Sequence, residues 1–569
     1  MTVLHNPVIR GFAPDPSLVR AGDWYYVATS SFEWFPTIPI HRSRDLAHWE
    51  YAGHVRGAAP GDSLAGVPDS GGIWAPSLSW DGERFWVVYS IVRSVGTPYF
   101  DTDTYVATAT EPGGRWTAPR RVASHGFDPA LFHEDGRLWL LNLQNDHRPD
   151  GRRFAGIVLT ELDRTSLARV GDTRLLLQHD RLVEGPKLIR REGWYHLVLA
   201  EGGTGFEHGV RVARARELTG PYELDDRTLL TSRDDPTLPL QKAGHGELVE
   251  TPGGEWVLSH LTARPLHTPG GPRCPLGRET AIQAVTWDAE GWPRMRHGGA
   301  HPAAEVQVEA QAEVEAQAEV EVEAQAEIQA EAEADVPADP LRAETRRTDD
   351  NDPLGWPWST LRGYPDPSWA DATTRPGRIR LRGRHGPESR WAHSLLAQRI
   401  TEHRAEAEVT VEAHPSTFTQ AAGLVLWYNT EAYLALDLTW AEPEGEEQRG
   451  QQWRGGGRTV LGLVEREESG TRRVAVVDVD ATGPLTLGVT VEGAKARFWY
   501  VDVVRSETTR TPVGPPLDFT KLSDDYGSKL RFTGSMAGIH AVDLVDGAFT
   551  ADFTGFRLTC GEPPPYPSP

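Results

Sequence analysis

Sulfur-containing residues and long apolar runs are scarce in this chain of 569 residues. Its two cysteines, Cys274 and Cys560, lie far apart in the sequence, which excludes a disulfide framework. No apolar run approaches the roughly 18 residues that a membrane-spanning helix needs. Acidic residues outnumber basic ones, and the net charge of −23 disfavours a nucleic acid or an anionic membrane as a partner. A neutral ligand such as a sugar remains compatible with this charge.

A secretory signal is also missing from the start of the chain. Residues 1–7 contain neither a basic segment nor an apolar one, and they lead directly into the first β-rich segment. If this start is the native one, we expect a cytoplasmic protein that acts on imported material. The length predicts at least two domains, and a homo-oligomer is compatible with the sequence.

A motif recurs five times in the N-terminal half of the chain. Each copy combines an x-Pro-x-Leu-like entry, a short gap, a turn glycine and an aromatic-rich strand. The turn glycines are Gly22, Gly82, Gly136, Gly193 and Gly254. Their spacings of 60, 54, 57 and 61 residues predict one four-stranded blade per repeat. The repeats therefore predict an all-β chain that begins with a five-bladed β-propeller over residues 1–300.

The remaining chain is predicted to contain a linker and a second β-domain. Residues 301–344 are predicted to be an acidic low-complexity linker, because Glu and Gln alternate with small or branched apolar residues and no basic residue balances the repeated glutamates between 304 and 335. From residue 345 to residue 562, period-two segments such as 422–428 and 485–491 predict an antiparallel β-sandwich.

The entries to the five repeats carry Asp15, Trp74, Asp128, Glu184 and His245. Because equivalent inner-strand positions converge on the axis of a propeller, we expect these side chains to share one pocket. Three acids suit hydrolysis of a glycosidic bond: one carboxylic acid protonates the leaving oxygen, and one carboxylate activates water or attacks the anomeric carbon. The third acid can raise the pKa of the proton donor by like-charge repulsion.

Each acid taken alone has a structural explanation. An aspartate before proline often caps a turn, which applies to Asp15 and Asp128. Glu184 lies one residue earlier relative to its proline, which is consistent with a different role. Their common location at the starts of inner strands favours a site over three separate turns.

Other residues of the same segments have side chains suited to a sugar. Arg278 could bind hydroxyl groups or orient a carboxylate. Phe32 and Trp74 could stack on a pyranose face, although most of the 20 tryptophans in such a chain serve in packing. These residues complete a candidate sugar-binding pocket.

Several motifs together point to one family. The N-terminal motifs are Asn6-Pro-Val-Ile-Arg-Gly-Phe-Ala-Pro-Asp-Pro-Ser, Ser30-Ser-Phe-Glu-Trp-Phe-Pro, Gly71-Gly-Ile-Trp-Ala-Pro-Ser, Gly126-Phe-Asp-Pro-Ala-Leu-Phe, Asp146-His-Arg-Pro, Val183-Glu-Gly-Pro-Lys-Leu, Ala200-Glu-Gly-Gly-Thr-Gly-Phe-Glu-His and Leu276-Gly-Arg-Glu-Thr-Ala-Ile. The C-terminal motifs are Ala422-Gly-Leu-Val-Leu-Trp-Tyr-Asn and Phe532-Thr-Gly-Ser. With these motifs the chain resembles glycoside hydrolase family 43, in particular its two-domain β-xylosidases that also show α-L-arabinofuranosidase activity.

The resemblance implies a five-bladed propeller followed by a concanavalin-like β-sandwich. It also implies an inverting mechanism without a required cofactor, in which Asp15 is the general base, Glu184 is the general acid, and Asp128 tunes the pKa and orientation of the acid. Inversion requires the base and acid carboxyls to stand about 6.5–9.5 Å apart, which leaves room for a water molecule.

The resemblance further implies a set of substrate-binding residues. These are Phe32, Trp74, His208, His245, Arg278 and Phe532. Phe532 would belong to a sandwich loop that closes one side of the pocket and so favours exo action. His245 matches an axial histidine that faces a central cation or water in some relatives, so the resemblance allows a structural Ca²⁺ near His245. A single imidazole without several oxygens is, however, a poor Ca²⁺ site.

The leading hypothesis is an exo-acting, inverting enzyme that releases D-xylose from the non-reducing ends of β-1,4-xylo-oligosaccharides. The alternative is an enzyme that is mainly an α-L-arabinofuranosidase, or that has both activities. A remote alternative is a non-catalytic propeller that binds carbohydrate. In each case the expected partner is a small oligosaccharide rather than a nucleic acid or a membrane.

Overall fold

The computed structural model describes residues 1–310, 353–442, 457–479, 483–502 and 509–561. Apart from two short 3-10 turns, Pro60–Asp62 and Phe519–Lys521, the regular structure of these ranges is β-strand, as the sequence predicts. In this part of the chain no helix is long and apolar enough to cross a membrane. Strands are numbered below in chain order.

The first strand, β1 (Thr2–His5), pairs with β26 (Glu305–Val308). The linker prediction was therefore wrong for residues 305–308, which form a strand on the propeller. Val306 and Val308 are buried, because the apolar residues of the alternating tract all fall on one face of this strand. Residues 311–344 of the predicted linker lie outside the described ranges, and the division into domains is otherwise still a prediction.

Five antiparallel sheets form the propeller, one for each sequence repeat. Blade one consists of β2 (Ser17–Ala21), β3 (Trp24–Ala28), β5 (Pro39–Ser43) and β6 (Glu50–His54). Blade two consists of β7 (Gly72–Trp80), β8 (Phe85–Val92), β9 (Thr102–Ala109) and β10 (Arg120–Ala123). Blade three consists of β11 (Gly126–Glu134), β12 (Arg137–Asn145), β13 (Phe154–Leu162) and β14 (Arg169–Leu177).

The last two blades complete the ring. Blade four consists of β15 (Val183–Arg191), β16 (Trp194–Glu201), β17 (Gly209–Ala215) and β18 (Glu223–Leu224), and β19 (Leu230–Thr231) also pairs with β17. Blade five consists of β20 (Gln241–Glu250), β21 (Trp256–Ala263), β24 (Glu279–Trp287) and β25 (Pro293–Met295). The first strands of the blades contact one another in a closed ring, from β2 through β7, β11 and β15 to β20, and therefore line the axis.

The turn glycines of the repeats connect the first two strands of each blade. All five have positive φ, between +60° at Gly22 and +97° at Gly82. A two-residue hairpin turn needs such a backbone conformation, and glycine adopts it without steric cost. The repeat was therefore recognisable in the sequence because each hairpin carries a glycine in this conformation, in loops of two residues in blades one, three and four, four residues in blade two and five residues in blade five.

Two packed sheets form the C-terminal sandwich. One sheet consists of β28 (Ala370–Asp371), β29 (Ile379–Arg382), β41 (Thr550–Cys560), β31 (Arg404–Ala413), β36 (Leu485–Glu492), β37 (Lys495–Asp502), β38 (Thr511–Pro512) and β39 (Leu517–Asp518). The other consists of β30 (Ser394–Arg399), β40 (Met536–Asp543), β32 (Gln420–Asn429), β33 (Ala432–Ala441), β34 (Arg458–Glu467) and β35 (Gly470–Asp478). Along β31 every second residue is buried, which is the alternation that the sequence shows.

The two domains share strands and core contacts. In the propeller, β4 (Trp34–Phe35) pairs with β27 (Thr360–Leu361) of the second domain. A short hairpin, β22 (Leu266–Thr268) and β23 (Gly271–Arg273), precedes β24. Trp34 packs in one buried cluster with Trp427 and Met536 of the sandwich. The sandwich therefore lies beside the loops that lead into the inner strands.

Candidate active site

The entry to each inner strand contains the same backbone irregularity. The first position of every repeat has positive φ: Asp15 +54°, Ala75 +25°, Asp128 +52°, Gly185 +56° and His245 +52°. In blades two to five the strand register shifts at this point, as in a β-bulge. Bulges bend a strand and change the direction of a side chain. The repeated bulge accounts for the convergence of these entry residues on the axis.

The bulge also explains the different position of Glu184. In blade four the first position of the repeat is Gly185, and a Cβ there would lie 3.0 Å from the imidazole Cε1 of His245. The positive φ and this tight contact with His245 favour glycine at position 185, and the acid of this blade is the preceding residue. Trp74 of blade two likewise precedes the first position, which is Ala75.

Asp15 is a buried carboxylate with two strong hydrogen bonds. Its Oδ1 accepts from Arg278 Nη1 at 2.7 Å, and its Oδ2 accepts from Ser30 Oγ at 2.6 Å. Burial alone would raise the pKa of Asp15, but the charge of Arg278, the imidazole of His245 and the Ser30 hydroxyl hold it below its ordinary value. Asp15 is therefore ionised at neutral pH and can accept a proton.

Glu184 has the opposite properties. It is half-buried, and burial together with the negative charge of Asp15 raises its pKa to about 7, partly opposed by Arg278. Burial and the charges of Glu184 and Asp15 also raise the pKa of Asp128 well above its ordinary value, while Lys187 and the N–H of Gly185 oppose this rise. Because Asp128 and Glu184 interact, they titrate as a pair. One ionised carboxylate and a coupled pair of carboxyls with raised pKa values thus lie in one site, which is the arrangement that acid–base catalysis needs.

Two predicted histidines are buried and neutral. Burial lowers the pKa of His245 to about 4 and that of His208 to about 3. A Cβ on Gly244 would lie 1.9 Å from His208 Cδ2, so only glycine leaves room for this ring. Among the described residues neither ring nitrogen of His208 has a hydrogen-bond partner. The role of His208 in sugar binding therefore stays a prediction.

The sandwich brings Phe532 into contact with the residues predicted for the site. The carbonyl of Phe532 accepts a hydrogen bond from Arg278 Nη2 at 3.0 Å, and its N–H donates to Ser70 Oγ at 3.0 Å. Arg278 Nη1 also donates to Thr204 Oγ1 at 2.7 Å. Arg278 thus connects the general-base candidate, the loop of blade four and the second domain.

Aromatic rings form one wall of the site. Phe32 stacks on Phe532 with ring centroids 5.7 Å apart, and Trp74 meets Phe532 edge-on at 5.3 Å. Trp74 Nε1 donates to the carbonyl of Ser70 at 2.9 Å, so Ser70 holds both Trp74 and Phe532. The structure therefore brings these predicted aromatic residues together at the domain boundary.

A buried ion cluster anchors the loop that carries Phe532. Lys242 Nζ of β20 lies 3.0 Å from Asp524 Oδ1 and 2.6 Å from Asp525 Oδ1. The N–H of Cys274 donates to Asp525 Oδ2 at 2.9 Å. Because these groups belong to both domains, the cluster fixes the position of the loop relative to the propeller.

Four polar residues of this site were not predicted from the sequence: Ser30, Ser70, Thr204 and Lys187. Ser30, Thr204 and Lys187 occur in the quoted motifs, which could have indicated them. Ser70 directly precedes a quoted motif, but its two hydrogen bonds depend on the position of the second domain. Lys187 occupies the third position of its repeat.

The residues around His245 do not match the needs of Ca²⁺, which prefers six to eight oxygen ligands. Its Nδ1 lies 4.0 Å from Asp15 Oδ1, and both oxygens of Asp15 already accept hydrogen bonds from protein groups. Within the described ranges no group of three or more His, Cys, Asp or Glu residues could hold a metal ion. The described residues near His245 therefore supply too few carboxylate ligands for the Ca²⁺ considered there.

Comparisons with known proteins agree with this arrangement. The profile of glycosyl hydrolases family 43 matches residues 4–293, and that of the β-xylosidase C-terminal concanavalin A-like domain matches residues 348–559. A xylosidase/arabinosidase 43B of Humicola insolens is 36% identical over 98% of this chain and 97% of its own length. A β-xylosidase of Bacillus subtilis is 35% identical over 97% of this chain and 98% of its own length.

A solved structure extends the similarity to the fold. The crystal structure of xylan β-1,4-xylosidase from Bacillus halodurans C-125 superposes with a TM-score of 0.85 and 37% identity, and the match covers 98% of this chain and 100% of that one. Both domains are therefore shared, in the same order. The chain belongs to glycosyl hydrolases family 43.

Proposed function

We propose that this protein is an exo-acting, inverting glycoside hydrolase that releases D-xylose from the non-reducing ends of β-1,4-xylo-oligosaccharides. The observation that carries the proposal is the opposite electrostatic environment of two carboxyls in one pocket. The pKa of Asp15 is held below its ordinary value, whereas burial and the charge of Asp15 raise that of Glu184 to about 7. The names of the relatives in Humicola insolens and Bacillus subtilis support xylose as the sugar.

The two carboxyls divide the proton transfers of hydrolysis between them. Asp15 accepts a proton from a water molecule while the water oxygen bonds to the anomeric carbon. Glu184 donates its proton to the glycosidic oxygen, which leaves with the electron pair of the broken bond. Blade five separates the entries of Asp15 and Glu184 on the shorter path around the ring, which supports placement on opposite sides of the sugar. Proton exchange with solvent then returns Asp15 to its ionised form and Glu184 to its protonated form.

Exo action follows from the position of the sandwich loop. Phe532 is held by Arg278 and Ser70 against Phe32 and Trp74, so the second domain covers one side of the pocket. A pocket covered on one side fits a terminal sugar better than the interior of a long polymer. In this proposal Arg278 and His208 bind the hydroxyls of that terminal sugar.

The decisive experiment is NMR of a fresh reaction with xylobiose. We expect α-xylose to appear first and β-xylose to follow by mutarotation, which would establish cleavage of a β-linkage with inversion. Initial β-xylose would mean retention, so that one of the two carboxylates would have to be a nucleophile. No release of xylose would contradict the proposed substrate.

The alternative substrate is an α-L-arabinofuranoside. The name of the Humicola insolens relative joins xylosidase and arabinosidase, which favours testing both sugars. We expect kcat/KM to be higher for the nitrophenyl xyloside than for the nitrophenyl arabinofuranoside. The opposite order would make the protein mainly an arabinofuranosidase, and no turnover of either compound would favour a carbohydrate-binding propeller.

Three further properties belong to the proposal. Cytoplasmic action on imported oligosaccharides is tested by cell fractionation of the source organism with an antibody to this chain. Assembly into a homo-oligomer is tested by light scattering coupled to size-exclusion chromatography. Independence from Ca²⁺ is tested by comparing turnover before and after dialysis against a chelator, where a loss that Ca²⁺ reverses would contradict it.

A further inference from the structure

A second ring of side chains lies below the entry residues on the propeller axis. In each repeat the third position follows the first by two residues, just past the bulge, and in four of the five repeats the side chain at this position belongs to one cluster around Lys187. These third positions are Ser17, Ser77, Ala130, Lys187 and Glu247. Because a strand rises at most about 3.4 Å per residue, this ring lies within roughly 7 Å of the ring that contains Asp15 and Asp128, measured along the strand. It contains one cation, one anion, two hydroxyls and one methyl group.

The Lys187 ammonium contacts three other members of this ring. Its Nζ donates to Ser77 Oγ at 2.7 Å and to Ser17 Oγ at 3.2 Å, and it lies 3.3 Å from Glu247 Oε2. The four residues belong to the inner strands of blades two, one, four and five. Only 4% of Lys187 is exposed, so this cation is buried on the axis.

Glu247, the anion of the ring, also accepts hydrogen bonds from the neighbouring inner strand β2. Glu247 Oε2 accepts from Ser17 Oγ at 2.7 Å and from the N–H of Leu18 at 3.0 Å. Ser17 Oγ also accepts from the N–H of Leu78 at 2.9 Å. The ammonium is therefore one part of a hydrogen-bonded network that joins the inner strands of separate blades.

The charge of Lys187 reaches the catalytic layer. It opposes the rise in the pKa of Asp128, and it contributes, after burial, to the low pKa of His245. The charged and titratable groups that face it are Glu247 and His245 from β20 and Asp128 from β11. Arg278, the other buried cation near the acids, is bound to Asp15 in the upper layer.

We propose that Lys187 is a positioning residue that acts as a built-in axial cation. Its ammonium joins four inner strands beneath the acids and balances the negative charge of these acids. In a variant with a truncated side chain, the space left by Lys187 accepts a small alkylammonium ion. This inference rests on the proposed hydrolase function for its kinetic consequences, but not for the binding of the amine. The ammonium connects blades that are distant in the sequence. The charge acts on the carboxyl pair that supplies the proton to the leaving group.

The first test is chemical rescue of Lys187→Ala. The substitution removes three methylenes and the ammonium, which n-propylammonium replaces in size and charge. We expect kcat on xylobiose to fall by up to about 10²-fold, since loss of the ammonium that joins the four inner strands displaces the acids, and a misplacement of about 1 Å can cost that much. We expect n-propylammonium to raise both kcat and the thermal unfolding temperature of the variant, while sodium chloride of equal ionic strength and neutral n-propanol change neither.

The second test uses two substitutions with opposite effects on charge. Lys187→Met removes a positive charge near the Asp128–Glu184 pair, so the pair should hold its proton to higher pH and the basic limb of the kcat/KM profile should move upward. Glu247→Gln removes a negative charge, so the same limb should move to lower pH. A merely structural defect would not move the basic limb in opposite directions in the two variants. Lys521→Met, which removes a lysine that is paired with Glu465 and Glu467 in the sandwich, is the matched control and should leave the profile in place.

The results separate this inference from the proposed function. Thermal stabilisation of Lys187→Ala by n-propylammonium needs no turnover, so it supports the axial cation even if xylobiose is not the substrate. If Lys187→Ala does not fold, the opposite shifts of Lys187→Met and Glu247→Gln still decide the question. Wild-type kcat and an unchanged pH profile in folded Lys187→Met would overturn the inference, as would a folded Lys187→Ala variant that n-propylammonium neither stabilises nor reactivates.

Discussion

Replacing Asp15 by Asn should lower the pKa of Glu184. Burial and then the charge of Asp15 raise the pKa of Glu184 from 4.5 to about 7. Since one pKa unit corresponds to about 1.4 kcal/mol, the site favours the protonated form by roughly 3 kcal/mol relative to water. The substitution leaves burial in place, removes the like charge, and frees Arg278 to act on Glu184. We therefore expect the pKa of Glu184 to fall by about one unit.

The measurement is a carbon-13 NMR titration of side-chain carboxyls in protein with labelled glutamate. Because Glu184 and Asp128 titrate as a pair, the comparison is made between Asp128→Asn and the double variant Asp15→Asn/Asp128→Asn. The signal that disappears in Glu184→Gln identifies the resonance. A pKa of Glu184 that stays the same or rises in the double variant would refute the electrostatic reasoning for the acid.

The raised pKa of Glu184 and the lowered pKa of Asp15 also determine the pH profile of the wild-type enzyme. Glu184 must carry a proton to protonate the leaving oxygen, so kcat/KM should decline as the pH rises through about 7. On the acid side, the pKa of Asp15 lies below its ordinary value, so this carboxylate should remain ionised well below neutral pH. A profile that rises between pH 7 and pH 9 would contradict the assignment of Glu184 as the acid.

Three other perturbations have distinct expected outcomes. Glu184→Gln should lower kcat by about 10²–10⁴-fold on xylobiose but far less on aryl xylosides with good leaving groups, because these leave without protonation. Lys242→Met should lower the free energy of unfolding by about 3–5 kcal/mol and raise KM, because two buried aspartates of the Phe532 loop lose their cation. Deletion of residues 311–335 should leave kcat nearly unchanged, because loop-closure cost depends weakly on length. A deletion that begins at residue 304 should lower the unfolding temperature, because it removes β26.

Each of these has a control and a contradicting result. Equal losses of Glu184→Gln on both classes of substrate would mean that it does not protonate the leaving group. Lys495→Met, a change on the exposed face of β37, should leave both stability and KM near the wild-type values, and the same behaviour in Lys242→Met would contradict its anchoring role. A large loss of kcat on deleting 311–335 would show that this segment positions the second domain.

Much of the propeller could be predicted because its repeat is local. Gly82 and the other turn glycines are required by hairpins within one blade, and the aromatic strand follows each of them directly in the chain. The alternation that becomes the buried face of β31 is likewise visible in consecutive residues. The strand β26 was missed because the same alternation runs on into a tract that is too long for one strand, and only its pairing with β1 selects four of its residues.

In the candidate site, too, the sequence predicted the positions of the residues but not the properties that depend on contacts between blades. The motifs placed Asp15, Asp128 and Glu184 at the starts of inner strands, but their protonation depends on neighbours from other blades. Arg278, which keeps Asp15 ionised, lies 263 residues away in the sequence. Desolvation and Coulomb interactions depend on distance in space, so no local pattern could separate the pKa of Asp15 from that of Glu184.

The sequence by itself determined the number of blades, the sandwich and the types of residue at each entry, because turn chemistry and side-chain alternation act between neighbours in the chain. Only the tertiary structure decided which carboxyl is ionised, that Arg278 binds the carbonyl of Phe532 in the second domain, and that Lys187 meets Glu247 on the axis. Closure of the ring and docking of the sandwich bring these groups together, and the resulting burial makes their charges strong enough to set one another's protonation.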